Sequence, residues 1–338
     1  MDLNLLWFIL LGVLLTGYAI LDGFDLGVGI MHLTSRGDKA RRICLNSIGP
    51  LWDGNEVWLI TFGGALFAAF PDVYATVFSG FYTAFMLLLF ALIFRAVSME
   101  FRSKRESGLW RGVWDVSFSL ASAVVALLFG VAVGNAILGM PIGADMEYQG
   151  DFWDLISPYT VLVGLLTVSL FAMHGSIFLF LKTEGDLQKR IQRQMWRTFG
   201  LFLVLYMFTT IYTLTNVPAA TGNFEEFGWA WAVVALNVLA IANIPRAIFL
   251  NKPLYAFLSS CATIAALNFL FGVALYPNLV VSSLDPAYSL TIFNASSSTK
   301  TLGIMALIAA VGMPFVLAYT AAIYWTFRGK VDLGEHSY

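Results

Sequence analysis

Four acids stand in stretches that are otherwise apolar. Asp22 and Asp25 lie in the first hydrophobic run. Asp53 and Glu56 lie in the second, within Gly49-Pro-Leu-Trp-Asp-Gly-Asn-Glu-Val-Trp58. A charged side chain near the centre of a membrane helix costs about 2.5–3.5 kcal/mol on insertion scales, so two acids in each of two neighbouring spans need a reason. Each pair is three residues apart, which on a helix puts both members on one face. One reading is a buried cluster of protonatable carboxyls. The other is that the acids pair with cations or backbone dipoles and only fix helix packing. Spacing alone leaves both open. A carboxyl taken out of water is driven toward its neutral form, and a group that can be neutral or charged is what a proton relay needs.

The elements that must position these acids are set by composition. Of the 338 residues 59% are hydrophobic and 12% charged, with mean hydropathy +0.78. Soluble domains average about 45–50% apolar and 25% charged. The apolar runs exceed about 18 residues and lack the alternation of barrel strands, so the expected fold is an all-α integral membrane protein. It forms a single polytopic transmembrane domain, residues 1–338. Nine spans are predicted, at about 4–30, 48–70, 73–97, 113–138, 157–181, 198–219, 229–250, 254–276 and 302–327. The first run has no preceding Lys or Arg and no small-residue cleavage site, so it reads as a span and not a cleaved signal.

Eighteen of the nineteen Lys and Arg residues fall on one side of this arrangement, Lys300 being the exception. The positive-inside rule then places the amino terminus outside and the carboxyl terminus in the cytoplasm. Asp145, Glu147, Asp151, Asp154, Glu225 and Glu226 lie in the opposite loops. Trp7, Trp153, Trp229 and Trp231 sit near outer edges, and Trp110, Trp114, Trp196 and Trp325 near inner ones, as an aromatic belt requires. In this orientation all four acids lie in the cytoplasmic half of their spans, so the two pairs can meet at one depth. Gly23 and Gly27 form a small-xxx-small pair beside them, and Gly12, Gly17, Gly63 and Gly64 thin the same helices. Small residues let helices approach closely, which would hold the acids away from lipid.

Other polar groups have plainer readings. Asp115 lies near Arg111 and suits an interfacial salt bridge. Asn135, Asn237 and Asn243 suit hydrogen bonds between helices. Cys44 and Cys261 are far apart and read as apolar-site residues. Of the three histidines, His32, His174 and His336, only His174 falls inside a span. A lone histidine there is more often a packing residue than a haem ligand, and no metal site is expected.

Leu21-Asp22-Gly23-Phe24-Asp25-Leu26-Gly27-Val28-Gly29 and Trp52-Asp53-Gly54-Asn55-Glu56-Val57-Trp58 resemble subunit II of the cytochrome bd-type quinol oxidases. Phe94-Arg95, Glu100-Phe101-Arg102-Ser103-Lys104, Trp110-Arg111, Trp114-Asp115, Tyr276-Pro277-Asn278 and Ser289-Leu290-Thr291-Ile292 with Asn294-Ala295-Ser296-Ser297 extend the likeness along nearly the whole chain. The resemblance implies a respiratory terminal oxidase of the prokaryotic cytoplasmic membrane, electrogenic, oxidising a quinol and reducing dioxygen to water. It implies two four-helix bundles plus one peripheral helix. It implies that haems b and d and the quinol site belong to the partner, subunit I, and that this chain has no catalytic residue of its own. Asp25 and Asp53 fall on the family's proton-path acids. Glu56 falls where some relatives carry an amide, and Asp22 where they carry Asp or Glu. Trp52, Asn55 and Trp58 would shape the entry. A structural quinone in this subunit and small single-span partner subunits, each found in some relatives, stay open; membrane lipid surrounds the complex, and no nucleic-acid partner is expected. The rival readings are a proton-coupled secondary transporter, which would show broken spans in repeated positions, and a purely structural subunit.

Overall fold

The computed structural model describes residues 2–334; His336 lies outside them. The described residues are mainly helical. It runs α1 (Leu3–Met31), α2 (Asp38–Ile48), α3 (Trp52–Ala69), α4 (Pro71–Gly80), α5 (Tyr82–Arg102), α6 (Gly108–Leu138), α7 (Pro158–Lys182), α8 (Gly185–Asn216), α9 (Gly222–Glu226), α10 (Ala230–Phe249), α11 (Pro253–Leu275) and α12 (Thr299–Thr326). Between α11 and α12 a short antiparallel pair, β1 (Asn278–Val280) and β2 (Leu290–Thr291), matches Asn278 with Thr291 and Val280 with Leu290. The loop after α6 joins it, Met140 N donating to Val281 O at 2.9 Å and Ser283 N to Met140 O at 2.8 Å. Nothing in the hydropathy pattern announced these strands.

Among the described residues eight helices are long and apolar enough to cross a membrane: α1, α5, α6, α7, α8, α10, α11 and α12. The second expected span, 48–70, corresponds to α3, which has 18 residues and carries Asp53, Asn55 and Glu56 in its first two turns. Its polar start is what separates it from the other eight. The third expected span, 73–97, is divided. Pro71 opens the short α4 at the position where a missing N–H costs nothing, and the chain leaves helical geometry at Phe81 before α5 begins. This moves Arg95 from a helix exit into the body of α5. The sixth span starts at Gly185 and not near 198, so Lys189, Arg190, Arg193 and Arg197 ride on α8.

Local chemistry starts the long helices. Ser157 and Thr160 form a reciprocal capping box at α7, with Pro158 in its first turn. Asp2, Ser107 and Ser298 accept from the first turns of α1, α6 and α12. Such caps satisfy N–H groups that a helix cannot satisfy internally.

α7 is the centre of the packing. In its apolar stretch 67% of residues are buried, against 6% for α12. It packs on α1, α6, α8 and α11, while α3 lies along α1 and α12 rests on α1 and α3. The α1–α7 contact is backbone on backbone: a Cβ at Gly27 would stand 2.7 Å from Gly175 N. The expected small-residue approach is therefore made by Gly27 with Gly175. Gly23 lies under the Phe171 ring and Gly17 under Trp58, whereas Gly12, Gly63 and Gly64 have nothing within 4 Å. Those three do not mediate close packing within this chain.

Gly27→Ala or Gly175→Ala should therefore separate α1 from α7 and destabilise the fold by about 1–3 kcal/mol, read as a lowered thermal midpoint of the purified protein. Gly63→Ala should leave that midpoint in place. Equal midpoints for all three variants would contradict this packing.

Candidate functional site

The acids of α1 are both fully buried, at 0% exposure, yet they have different partners. Asp22 meets Arg95 of α5 in a two-pronged ion pair, with Nη1 to Oδ2 at 3.0 Å and Nη2 to Oδ1 at 2.5 Å. Arg95 is itself only 1% exposed. Both oxygens of Asp22 are thus committed. Bidentate guanidinium–carboxylate pairing is among the strongest polar contacts available, and one charge left alone in the interior would be severely penalised.

Asp25, one turn on, has no cation of its own. Its Oδ2 accepts from Asn55 Nδ2 at 2.7 Å. Its Oδ1 is buried without a protein partner. Asn55 is held from two more directions: Nδ2 reaches Leu21 O at 3.3 Å, and Oδ1 accepts from Tyr324 of α12 at 2.9 Å. One asparagine thereby ties α1, α3 and α12 around the Asp25 carboxyl. Tyr18 Oη and Arg95 Nε are also buried and without protein partners. Buried polar atoms of this kind are normally satisfied by ordered water.

The two acids of α3 separate. Glu56 is half-buried, and Asp53 is exposed on the surface of this chain. The structure brings Asp22, Asp25 and Asn55 together and leaves Asp53 outside. The expectation that helix packing would hold all four acids from the surroundings is corrected at Asp53. The reason is that α3 is covered mainly by α1, α4 and α12, and the first turn turns Asp53 away from them. Trp52 is half-buried against the core and Trp58 half-buried over Gly17.

Arg95 and Tyr324 are the site residues that sequence reasoning missed. Arg95 falls near the end of the third expected span, 73–97, where it reads as one more basic residue of the cytoplasmic side. An arginine in an apolar run, in a chain with unpaired acids one span away, was the available signal. Tyr324 gave none, since its partner is 269 positions away.

A second buried charge centre lies nearer the basic end. Asp115, 1% exposed, was expected to pair with Arg111. Its partners are instead Arg102 (Nε to Oδ1, 2.5 Å), Arg41 (Nη1 to Oδ2, 2.7 Å) and His32 (Nε2 to Oδ1, 2.5 Å). Arg111 sits one turn earlier on α6 and points outward to Asp38 at 3.3 Å. Arg102 also reaches Asp38 at 2.9 Å, so α1, α2, α5 and α6 are joined in one network.

The remaining polar residues behave as packing groups. His174 Nε2 donates to Ile20 O at 3.0 Å and Nδ1 meets Ser260 Oγ at 2.7 Å, while its ring stacks on Phe257. Both ring nitrogens are engaged in hydrogen bonds within this chain. Asn243 donates to Ser259 at 2.8 Å and Asn237 to Tyr206 at 3.4 Å, both between helices. Asn135 instead holds the loop before α7 through Leu155 O at 2.9 Å. Cys44 and Cys261 are free thiols.

These features define a multi-pass helical membrane protein with buried ionisable groups. The family profile described as Cytochrome bd terminal oxidase subunit II matches residues 3–327. The chain is 36% identical over 360 residues to Cytochrome bd-I ubiquinol oxidase subunit 2 of Escherichia coli (strain K12), covering 97% of this chain and 95% of that one. It is 36% identical over 338 residues to Cytochrome bd ubiquinol oxidase subunit 2 of Bacillus subtilis (strain 168), covering 99% and 98%. The fold is that of a chain in the structure of bd oxidase from Geobacillus thermodenitrificans, with TM-score 0.79 and 17% identity over 97% of this chain and 99% of that chain. The chain belongs to the cytochrome bd terminal oxidase subunit II family.

If the Asp22–Arg95 pair carries the local structure, Asp22→Asn or Arg95→Gln alone should destabilise by about 3–5 kcal/mol, because each strands a buried partner. The double replacement Asp22→Leu with Arg95→Met should recover most of that loss. A thermodynamic cycle on the purified protein tests it; benign single variants would refute the pair's role.

Proposed function

We propose that this chain is the haem-free subunit II of a quinol:dioxygen oxidoreductase, and that Asp25 belongs to the path by which cytoplasmic protons reach the oxygen-reducing partner. Family membership supports the first half. The second rests on one observation: Asp25 is wholly buried, bonded through one oxygen to Asn55, and has its other oxygen open beside an acid already neutralised by Arg95.

Reduction of dioxygen to water consumes protons as well as electrons. The electron chemistry, through haems b and d, is assigned to subunit I. What this chain supplies is carriage and support. Asp53 stands at the exposed start of α3 and is the natural acceptor at the entrance. Glu56, half-buried one turn further on, is the next carboxyl. Asp25 is the innermost, and water at Tyr18 Oη, Asp25 Oδ1 and Arg95 Nε would bridge the gaps by hydrogen bonds. Asp22 stands outside this scheme, since both of its oxygens are bonded to Arg95, and that pair fixes the depth of Asp25. Trp52 and Trp58 flank the entry. Asn55 orients the carboxyl that must pass the proton on.

We read α3 as the ninth crossing, in the prokaryotic cytoplasmic membrane, with the amino terminus outside and the carboxyl terminus in the cytoplasm. Helices α1, α3, α5 and α6 form one bundle and α7, α8, α10 and α11 the other, with α12 peripheral. The scaffold role follows from the same picture: the surface around Asp53, which this chain leaves uncovered, is where the haem-bearing subunit I would sit.

In the assembled complex, Asp25→Asn should lower quinol-driven oxygen consumption by about 10²-fold, the scale of a lost proton-transfer group, with haem spectra unchanged. Asp25→Glu should restore part of the rate, and Asp53→Asn should show a smaller loss. Loss of haem together with activity would assign these acids to assembly instead, and unchanged turnover would remove them from the path.

A further inference from the structure

α10 and α11 enclose a groove of about 490 Å³ on the outside of the bundle, within the range of about 300–1,000 Å³ typical of small-molecule sites. Its walls are apolar and open to the membrane: Leu239 is 64% exposed and Leu258 54% exposed, and Ala262 lies alongside. Polar groups interrupt those walls. Asn243 and Ser259 line the groove and hydrogen-bond to each other at 2.8 Å, and Tyr255 lines its basic end.

Two cations sit at that end. Arg246 Nη1 donates to Asn243 Oδ1 at 3.0 Å. Lys252 Nζ stands 5.5 Å over the Tyr255 ring. Both side chains are exposed. Neither forms an ion pair among the described residues. No Asp or Glu occurs between Glu226 and Asp285, so neither helix brings a counter-charge of its own. Of the cations this chain does bury, Arg95 and Arg102 each have a carboxylate within 3 Å, and Lys182 donates to the Phe327 and Gly329 carbonyl oxygens. Two uncompensated cations, each in contact with a residue that lines a membrane-facing apolar groove, are complementary to an amphiphile with an anionic head. Basic pockets between transmembrane helices bind anionic lipid headgroups on this principle.

We propose that the α10–α11 groove binds one anionic phospholipid from the leaflet on the basic side of the protein. Its phosphate is held by Arg246 and Lys252, its ester region faces Asn243, Ser259 and Tyr255, and an acyl chain lies along Leu239, Leu258 and Ala262. A neutral amphiphile would leave both cations unmatched, and a soluble anion would leave the apolar walls unused.

The test uses the assembled oxidase, purified in mild detergent. Retained phospholipid is counted by native mass spectrometry, and phosphatidylglycerol is then titrated back from mixed phosphatidylglycerol–phosphatidylcholine vesicles. Arg246→Gln with Lys252→Gln should lose one tightly held anionic phospholipid per complex and weaken phosphatidylglycerol binding about thirtyfold, as two interfacial cations predict. Ala262→Trp, which fills the apolar part and keeps both charges, should lower retention as well. Lys300→Gln, on the opposite side, should retain the lipid. Normal haem content in each variant shows that the complex is folded. Equal retention in all variants, displacement of the lipid by inorganic phosphate, or loss of a neutral lipid in its place would each overturn the proposal.

Discussion

The ion pair between Asp22 and Arg95 is the constraint on which the rest of this structure turns. An arginine at 1% exposure and an aspartate at 0% can share a helical interior only because each neutralises the other. The pairing uses both carboxylate oxygens and locks α5 to α1. Its consequence lies one turn away. Asp25 occupies the same face of α1, at similar burial, with the nearest strong cation already taken. Two acids of identical chemistry and similar burial are given different parts by their neighbours: one has both oxygens bonded to Arg95, the other is held by an amide through one oxygen and has no protein partner at the second. Asn55 makes that division stable, because it is anchored by Leu21 O and by Tyr324 as well.

A second layer supports the first. About 10 Å further on, at 1.5 Å per residue, His32, just past the end of α1, joins Asp115, Arg102 and Arg41. Arg102 and Arg111 extend the network to Asp38. This network fixes the basic ends of α1, α5 and α6 and draws α2 against them. On the other flank, Gly27 against Gly175 sets the α1–α7 separation. α1 therefore reaches its position from three sides, and the geometry around Asp25 follows from rigid elements and not from a loop.

Much of this was legible in residues 21–29 and 52–58, and the reasons differ from residue to residue. The long spans were readable because apolar runs without charge have one stable solution in a bilayer. The meeting of Asp25 with the second polar segment followed from depth: both segments place acids near the basic side. Which acid is buried did not follow. Asp53 and Glu56 share spacing and chemistry, and only the arrangement of α1, α4 and α12 around α3 exposes one and half-covers the other. Asp115 shows the same limit. Arg111 is its neighbour in sequence, whereas Arg102, Arg41 and His32 are its neighbours in space, brought there by three separate elements. The break at Phe81 has no hydropathy signal, because Gly80 interrupts the apolar stretch without making it polar. At 17% identity to the solved bd oxidase chain the fold persists.

The central claim is that Asp25 exchanges a proton while Asp22 stays paired with Arg95. Redox-induced infrared difference spectroscopy of the assembled complex reads this directly in the carboxyl stretching region. The account predicts a protonated-carboxyl band that shifts in heavy water, disappears in Asp25→Asn, and persists in a variant where the Asp22–Arg95 pair is replaced together by Leu and Met. A band that survives Asp25→Asn unchanged, or that disappears when the Asp22–Arg95 pair is replaced together, would contradict it.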